Sequence, residues 1–332
     1  MTGFDRRTVM ASTGALLGAS GLAPFAFAQS ARPLAGKSVL VTGTSSGFGR
    51  LGAEHYARLG ARVFATMRGV PRPQADELRD LAKRDGLDLH VIALDVQSEK
   101  QVNAAITEAQ RINGGPLDVL VNNAGINIHG PVEVQDMEAT HLSFDTNVYG
   151  LMRTARGVLP GMRGRKSGLI VNVSSQVGRV VSPNGGIYSA TKFAVESMSE
   201  QLAYELAPHG VDVAIIQPGG FPTGIGANRA RLTAALADRV TDINKQGYPQ
   251  AVAAMKPASA PSSTPWANAP DPMDVPRAIA EIIAMPAGKR PLRTAVHPGN
   301  KPQLEINRVS REAQLAWLGN GPNGAWMKAV HD

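Results

Sequence analysis

The chain has 332 residues, of which 43% are hydrophobic and 18% are charged, a composition typical of a globular protein with a sizeable core. It contains no cysteine and its seven histidines are dispersed, which excludes disulfides and thiolate nucleophiles, and we expect no catalytic metal. The formal charge is +7, but the basic residues are scattered rather than clustered, so we expect no nucleic-acid partner.

Residues 1–28 have the pattern of an export signal. Arg6 and Arg7 precede a moderately apolar run, 11–23, and Ala26-Phe27-Ala28 ends it with small residues at the positions that a signal peptidase recognises. We therefore expect a twin-arginine-type signal, a mature chain from Gln29 and a periplasmic location, or a cytoplasmic one if the signal is not used. An uncleaved extension and a membrane anchor are the alternatives. No later segment is apolar enough to span a bilayer.

From residue 36 onward, short apolar runs alternate with amphipathic stretches, as in βαβ units around a parallel sheet. Strands are predicted at 37–41, 61–66, 89–94, 117–121, 169–173, 211–216 and 292–296. Helices are predicted at 47–59, 74–84, 99–112, about 136–162, 188–207 and 275–284. With no repeat and no second core, residues 29–332 are predicted to form one α/β domain with a Rossmann-like, doubly wound parallel sheet.

Two stretches interrupt this alternation. Residues 223–255 show helical periodicity without a strand partner, and residues 257–272 contain five prolines among small polar residues. A long irregular insertion late in an α/β chain is usually a lid or an oligomer contact, and we favour a helical and Pro-rich substrate lid over about 221–272.

A glycine-rich turn, Thr42-Gly-Thr-Ser-Ser-Gly-Phe-Gly49, lies between the first predicted strand and the first predicted helix. Glycines at that place let the backbone approach a pyrophosphate, which the unpaired amides of the helix N-terminus can bind. The turn therefore predicts a dinucleotide site.

The end of the second strand distinguishes between the two nicotinamide cofactors. An NAD site usually has an acidic residue there for the ribose 2′-hydroxyl, whereas an arginine accommodates a 2′-phosphate. Thr66 and Met67 are not acidic and Arg68 follows directly. We therefore expect NADP(H) in preference to NAD(H), with Ser46 and Arg68 as the phosphate contacts; a plain surface role is the alternative for Arg68.

Polar residues also end the third and fourth strands. Asp95, which precedes Val96, is placed to accept from the adenine amino group, and Asn122-Asn123-Ala124-Gly125 is placed to border the cofactor. Each motif by itself is equally typical of turn or capping residues.

Tyr188 and Lys192 are four residues apart on a predicted helix, so both project from one face. An ammonium close to a tyrosine favours the phenolate and lowers its pKa, which suits proton transfer. Ser174 and Ser175 end the strand at 169–173, where a hydroxyl is placed to hold a substrate oxygen. A chance helical pair with a snorkelling lysine is the alternative for this spacing taken alone.

In order and spacing, these motifs resemble the short-chain dehydrogenase/reductase family over about 34–296. The resemblance rests on the turn 42–49, Asp95, Asn122 to Gly125, Asn147, Ser175, Tyr188, Lys192, Pro218 and Gly219. It implies an oxidoreductase that interconverts an alcohol and a ketone or aldehyde, with Tyr188 as acid/base. It also implies that Lys192 lowers the tyrosine pKa and binds the nicotinamide ribose, and that Ser175, 13 residues before Tyr188, holds the substrate oxygen in preference to Ser174.

The resemblance implies further roles. Asn147 would hold a kink in the long helix and a water that relays protons to Lys192, and Thr223 would contact the carboxamide. The remaining cofactor contacts it implies are Gly43, Ser45, Ser46, Gly47, Phe48, Gly49, Val96, Asn123, Ala124, Gly125, Pro218 and Gly219. It also implies a homodimer or homotetramer built from the long helix and the Tyr188 helix.

Within the family, three motifs are similar to those of the 17β-hydroxysteroid and retinol dehydrogenases: Thr-Ser-Ser-Gly-Phe-Gly, Phe-Ala-Thr-Met-Arg and Ser-Pro-x-x-x-x-Tyr. This similarity implies a bulky, apolar small-molecule substrate. The candidate substrate contacts are Ser175, Gln176 and Phe221, followed by Ile126, His129, Val177, Pro183 and Trp266.

Two other functions are compatible with parts of this pattern. A dinucleotide-binding sensor or scaffold would share the fold, but such proteins typically lack the tyrosine or the lysine. An extended-type epimerase or dehydratase would have glycines spaced as Gly-x-x-Gly-x-x-Gly, unlike Gly43, Gly47 and Gly49. The tail after Gly299, with Trp317 and Trp326, has no assigned element and is expected over the pocket or against a neighbouring subunit.

Overall fold

A seven-stranded parallel sheet forms the centre of the protein in the computed structural model, which describes residues 32–256 and 269–331. In chain order the strands are β1 (Ser38–Thr42), β2 (Arg62–Met67), β3 (Leu89–Ala93), β4 (Val119–Asn122), β5 (Gly168–Val173), β6 (Val211–Pro218) and β7 (Arg293–Val296). Their order across the sheet is β3-β2-β1-β4-β5-β6-β7. The chain therefore crosses from one side of β1 to the other between β3 and β4, which opens a crevice at the carboxyl ends of these strands.

Helices cover both faces of the sheet. They are α1 (Gly47–Arg58), α2 (Pro73–Asp85), α3 (Glu99–Asn113), α4 (Met137–Phe144), α5 (Gly150–Gly164), α6 (Ile187–Leu206), α7 (Ile225–Ala237), α8 (Asp242–Gly247), α9 (Pro249–Met255), α10 (Asp274–Ala284), α11 (Gln303–Leu318) and α12 (Gly324–His331). The side chains of β1 alternate between two cores. Val39 and Val41 pack with α1, α2 and α10, whereas Leu40 packs with α3, α5 and α6. The predicted doubly wound α/β architecture is confirmed.

The predicted helix over about 136–162 is present with an interruption at Asn147, where a kink was expected, because a π-helical segment, Asp145–Tyr149, separates α4 from α5. Asp136 starts α4 by accepting a hydrogen bond from the Ala139 amide at 2.7 Å. Within the π-helical segment, the side chain of Asn147 bonds both the amide and the carbonyl of Ile126, at 2.8 and 2.9 Å. The wider turn thus brings Asn147 against the loop that follows β4, and π turns of this kind are frequent at functional sites.

The insertion after β6 is helical where the structure describes it. The helices α7 and α9 form a small apolar cluster with the loop after β4, in which Leu236 and Val252 pack with Ile126, Ile128 and Val134. The helical periodicity predicted for 223–255 is therefore confirmed, and the role of this insertion as a lid stays a prediction. The export-type segment 1–28, most of the Pro-rich stretch and Trp266 lie outside the described residues.

Two helices that the sequence did not reveal follow β7. The first, α11, packs beside β7, and α12 packs against the C-terminal end of α6, where His331 bonds the hydroxyl of Tyr204 at 2.7 Å. Among the described helices, none has both the length and the apolarity that a bilayer crossing requires.

Candidate active site

A pocket of about 620 Å³ lies at the carboxyl ends of β1, β2, β4, β5 and β6. Nearly all the predicted site residues line it: Gly43, Ser45, Ser46, Gly47, Phe48, Arg68, Asp95, Val96, Asn123, Ala124, Gly125, Ser175, Gln176, Tyr188, Lys192, Pro218, Gly219, Phe221 and Thr223. Gly49 and Asn147 do not line it. The fold thus brings together residues that are up to 180 positions apart in the chain (from 43 to 223).

The glycine-rich turn at one end of the pocket is packed tightly against the loop after β4. Gly43 has a φ of +71°, and a Cβ there would lie 2.8 Å from the Cα of Ala124. A Cβ at Gly49 would lie 2.4 Å from Nδ2 of Asn123, which itself donates to the carbonyl of Thr42 at 2.8 Å. The close packing leaves no room for a side chain at position 43 or 49, which explains why both are glycines. The N-terminus of α1 faces the pocket. This arrangement fits a dinucleotide pyrophosphate.

Arg68 and Asp95 at this end differ in whether other groups of the protein already bond to their side chains. Arg68 is exposed at the edge of the pocket, and no ion pair to its guanidinium occurs among the described residues. Asp95 accepts a hydrogen bond from the Gln97 amide at 3.1 Å, so it stabilises its own turn while also lining the pocket. A capping role and a cofactor role are therefore compatible for Asp95.

Ser175, Tyr188 and Lys192 meet at the other end of the pocket. Ser175 follows β5, and its hydroxyl interacts with that of Tyr188. Tyr188 and Lys192 occupy successive turns of α6, and the Lys192 Nζ lies 5.7 Å from the centroid of the tyrosine ring. Tyr188 is half-buried, whereas Lys192 is only 7% exposed and donates a hydrogen bond to the Val173 carbonyl at 2.9 Å.

Burial dominates the electrostatics of this group. It raises the pKa of Tyr188 to about 12, although the Ser175 hydroxyl and the charge of Arg229 act in the opposite direction. Burial also lowers the pKa of Lys192 to about 8, against the opposing charge of Glu196. The lowering of the tyrosine pKa by Lys192 stays a prediction, because the net rise in this pKa comes from burial and does not measure the effect of the lysine.

Asn147 is buried behind this group. Besides its two bonds to Ile126, its Nδ2 donates to the hydroxyl of Thr191 on α6 at 3.0 Å. A cavity of about 10 Å³ is lined by Asn147, Lys192 and Thr146, among others. The structure thus places Asn147 beside Lys192, and the water relay stays a prediction.

Ser174, the alternative to Ser175, also lines the pocket, but its hydroxyl lies against Gly178. Its hydroxyl is buried and has no hydrogen-bond partner among the described residues. It lies 2.8 Å from the position that a Cβ on Gly178 would occupy. Adjacent positions of an extended chain project to opposite sides, so only one of the two serines can approach Tyr188.

The predicted substrate contacts are mostly on the pocket wall. Gln176, Val177, Ile126, His129 and Phe221 line it. Phe221 packs edge-to-face against Phe48, with ring centroids 5.4 Å apart. Pro183 is exposed and does not line the pocket, although its neighbour Ser182 does, so that expectation is wrong.

Sequence reasoning missed the part of α7 that lines the pocket. Ile225, Asn228 and Arg229 all do so, directly after the predicted cofactor contact Thr223. The available signal was a basic residue in the first two turns of a helix that begins beside that threonine. Within residues 32–256 and 269–331, no group of three His, Asp or Glu side chains is arranged to hold a metal ion.

The comparison with protein families identifies this arrangement. The model described as short chain dehydrogenase matches residues 37–256. The chain belongs to the short-chain dehydrogenase/reductase family.

Several curated members of the family are similar in sequence. The 3-ketodihydrosphingosine reductase of Bacteroides thetaiotaomicron is 37% identical over 191 residues, which are 58% of this chain and 66% of that protein. Retinol dehydrogenase 8 of Bos taurus is 30% identical over 285 residues, 84% of this chain and 87% of that protein. The mitochondrial D-beta-hydroxybutyrate dehydrogenase of Rattus norvegicus is 35% identical, over 65% of this chain and 63% of its own length. The chain thus spans slightly less than two thirds of the first of these relatives and most of the second.

Solved structures of the family agree in fold and include nicotinamide cofactors. A short-chain dehydrogenase/reductase from Burkholderia phymatum in complex with NAD has a TM-score of 0.65 and 26% identity, covering 87% of this chain and 97% of its own. A gluconate 5-dehydrogenase from Burkholderia cenocepacia in complex with NADP and tartrate has a TM-score of 0.55 and 29% identity, covering 63% and 82%. A nicotinamide dinucleotide is therefore the cofactor class of this family member.

Proposed function

We propose that the protein is an NADP-dependent oxidoreductase that interconverts an alcohol and a ketone or aldehyde. The observation that carries this proposal is a single pocket with a dinucleotide-type glycine turn at one end and Ser175, Tyr188 and Lys192 at the other. The names of the similar proteins, a ketone reductase and two alcohol dehydrogenases, support the same reaction class.

The proposed mechanism assigns proton transfer to Tyr188. In reduction its hydroxyl donates the proton to the substrate oxygen, and a pKa of about 12 keeps that proton on the tyrosine at neutral pH. Ser175 donates a hydrogen bond to the same oxygen as negative charge develops there. The nicotinamide, when bound, supplies or accepts the hydride. In oxidation the nearby Lys192 ammonium stabilises the phenolate that must form before Tyr188 can accept the alcohol proton.

The decisive experiment follows nicotinamide absorbance with the purified full-length chain, NADPH or NADP⁺, and a panel of steroid, retinoid, aromatic and aliphatic carbonyls and alcohols. We expect turnover that Tyr188→Phe abolishes while nucleotide binding is retained. Tyr204→Phe, a change of the same kind about three helical turns beyond Lys192 and outside the pocket lining, serves as the control. Nucleotide binding without turnover of any member of the panel would instead favour the sensor function.

The preference for NADP is supported by Arg68. Its guanidinium is exposed at the pocket edge, and no acidic side chain ends β2, where Thr66 and Met67 stand. We expect Arg68→Ala to weaken NADP⁺ binding by about 10- to 100-fold, the loss of a charge-assisted hydrogen bond. NAD⁺ binding should be unchanged. Arg79→Ala on the exposed side of α2 is the matched control, and equal losses for both nucleotides would refute the preference.

An assembly through α4, α5 and α6 is part of the proposal. Met137, Tyr149 and Phe193 on these elements are 62, 49 and 41% exposed, next to a small buried cluster around Val148 and Val195. Apolar surface of this kind is typical of a contact between copies. Light scattering should give the mass of a dimer or tetramer, and Phe193→Glu should lower it.

A further inference from the structure

The substrate end of the pocket has positive charge without an acidic partner. Three basic side chains line the whole pocket. Lys192 on α6 and Arg229 on α7 lie on the side of Tyr188, and Arg68 at the end of β2 lies at the cofactor end. The only carboxylate in that lining is Asp95, which follows β3 and belongs with Arg68 to the cofactor end. Close to Tyr188, therefore, the described part of the pocket has cations and no anion.

Arg229 is the cation that the reaction mechanism does not use. It has no hydrogen bond or ion pair among the described residues, whereas Arg239, at the end of the same helix, is paired with Asp136. The positive charge of Arg229 lowers the pKa of both Tyr188 and His129. At Tyr188 the larger effect of burial opposes it, whereas at His129 burial acts in the same direction. Arg229 therefore lines the same pocket as Tyr188 and His129 and contributes positive charge to it.

The fold holds Arg229 beside the loop after β4. Arg229 and Thr233 are one turn apart on α7, so they share a face of the helix. The hydroxyl of Thr233, which is buried, accepts a hydrogen bond from the His129 amide at 3.0 Å. This bond fixes α7 to the pocket wall. Burial, followed by the charge of Arg229, lowers the pKa of His129, which favours the neutral form of its imidazole.

We propose that the substrate carries a carboxylate, which Arg229 binds, on an apolar body that contacts Ile126 and Phe221. The proposal rests on the proposed oxidoreductase function and narrows its substrates to oxo acids and hydroxy acids. An arginine fork matches a carboxylate in a bidentate manner, and a single guanidinium beside a neutral imidazole suits one negative charge better than the two of a phosphate. The apolar walls account for the rest of the molecule.

Matched pairs of probes test this proposal. We would measure kcat/KM with NADPH for 4-oxopentanoate, 6-oxoheptanoate and 8-oxononanoate, each beside its methyl ester. The three lengths allow for the unknown separation of carbonyl and carboxylate. Wild-type protein should prefer at least one acid to its ester by about tenfold or more, and Arg229→Gln should lower kcat/KM for that acid by about 10- to 100-fold. The ester and the affinity for NADPH should change less than about twofold, because neither uses the guanidinium.

The matched control is Arg231→Gln, which removes the same charge from α7 at a position that does not line the pocket. It should leave the preference for the acid intact. Arg229→Lys should retain part of that preference, since a lysine keeps the charge but not the fork. If the ester is used as well as the acid in all three pairs, or if Arg229→Gln weakens NADPH and both substrates equally, the proposal is wrong.

Calorimetric binding of the same acids and esters to the NADP⁺-loaded full chain separates this proposal from the proposed function. An acid that binds through Arg229 but is not reduced would sustain the anion site and contradict the oxidoreductase function. An ester that is reduced through Tyr188, with no preference for the acid, would support the oxidoreductase function and contradict the anion site. No detectable binding of any of the three acids would overturn the anion site.

Discussion

The two halves of α6 use similar residues in opposite ways. Tyr188, Lys192, Glu196, Glu200 and Tyr204 follow one another at intervals of four along this helix and form a single row of polar side chains. The first two line the pocket, and the last three face β6, β7 and the C-terminal helices. The row thus continues from the candidate active site into the interior.

In the pocket half of the row, charge is left without an opposite partner. Within the described chain, Lys192 has no carboxylate at ion-pair distance and donates to a carbonyl instead. Tyr188 keeps a raised pKa and Lys192 a lowered one, both because of burial. Such perturbed groups are costly to the fold and suited to proton transfer.

In the interior half, every charge is paired. Arg293 on β7 donates to Glu196 at 2.9 Å and also to Glu200, and all three side chains are at most 9% exposed. Gln217 donates to Glu196 at 3.0 Å, while Tyr204 donates to Glu200 and bonds His331. The comparison teaches that spacing along a helix sets where polar groups lie, whereas the neighbouring strand decides whether they stay reactive or become structural.

The largest expected effect tests the pocket half. Replacing Lys192 with methionine should lower kcat by about 10²- to 10⁴-fold, because the phenolate and the proton path lose their cation. The free energy of unfolding should stay the same or rise, since a buried unpaired ammonium is removed. Steady-state kinetics and urea unfolding measure both quantities. A marked loss of stability would mean that Lys192 is structural and would remove the distinction between the halves. Lys245→Met, at an exposed ion pair, is the control.

The next effect tests the interior half. Arg293→Met leaves two buried carboxylates unpaired and should lower the free energy of unfolding by about 3–5 kcal/mol. At a temperature where the variant is still folded, kcat should remain within a few-fold of wild type. Arg308→Met, which breaks exposed pairs on α11, should leave stability unchanged. A variant of Arg293 with full stability but no activity would reverse the assignment of the two halves.

The two neighbouring serines after β5, Ser174 and Ser175, are expected to differ in their effect on activity. Ser175→Ala removes a donor to the substrate oxygen and should lower kcat/KM by about 10²-fold. Ser174→Ala removes a buried hydroxyl without a described partner, so its activity should stay within about twofold and its stability should not fall. The opposite order of effects in a kinetic comparison of the two variants would show that Ser174 is the substrate contact.

The smallest expected effect is on the pH dependence of stability. Burial alone would raise the pKa of Glu200, but the hydrogen bond with His331, the charge of Arg293 and the Tyr204 hydroxyl together lower it. The stabilisation from a lowered carboxylate pKa is present above the unfolded value of about 4.3 and is lost as the pH falls below it. Unfolding free energies measured from pH 7 to pH 3 should therefore fall less steeply in Glu200→Gln than in wild type. Parallel curves would show that Glu200 does not gain from its partners.

Most of the regular structure was determined locally. Each of the seven predicted strands corresponds to an observed one with ends that differ by at most two residues, since buried parallel strands are continuous apolar runs bounded by turn residues. Most of the predicted site residues line the pocket, because glycines in a strand-to-helix turn and a Tyr-x-x-x-Lys helix are recognisable from short spacings. The expectation that failed was a pocket role for Pro183, which depends on how the loop before α6 folds against the wall.

What the sequence by itself determined is the order of strands and helices and the chemical groups at their ends. Only the tertiary structure decided which charges have partners. Arg293 meets Glu196 across 97 residues of chain, His331 meets Tyr204 across 127, and Arg229 meets no acidic side chain among the described residues although it lines the pocket. Periodicity depends on neighbours within one or two helical turns, but the pairing and the solvation of a charge depend on elements that come together only when the sheet is complete.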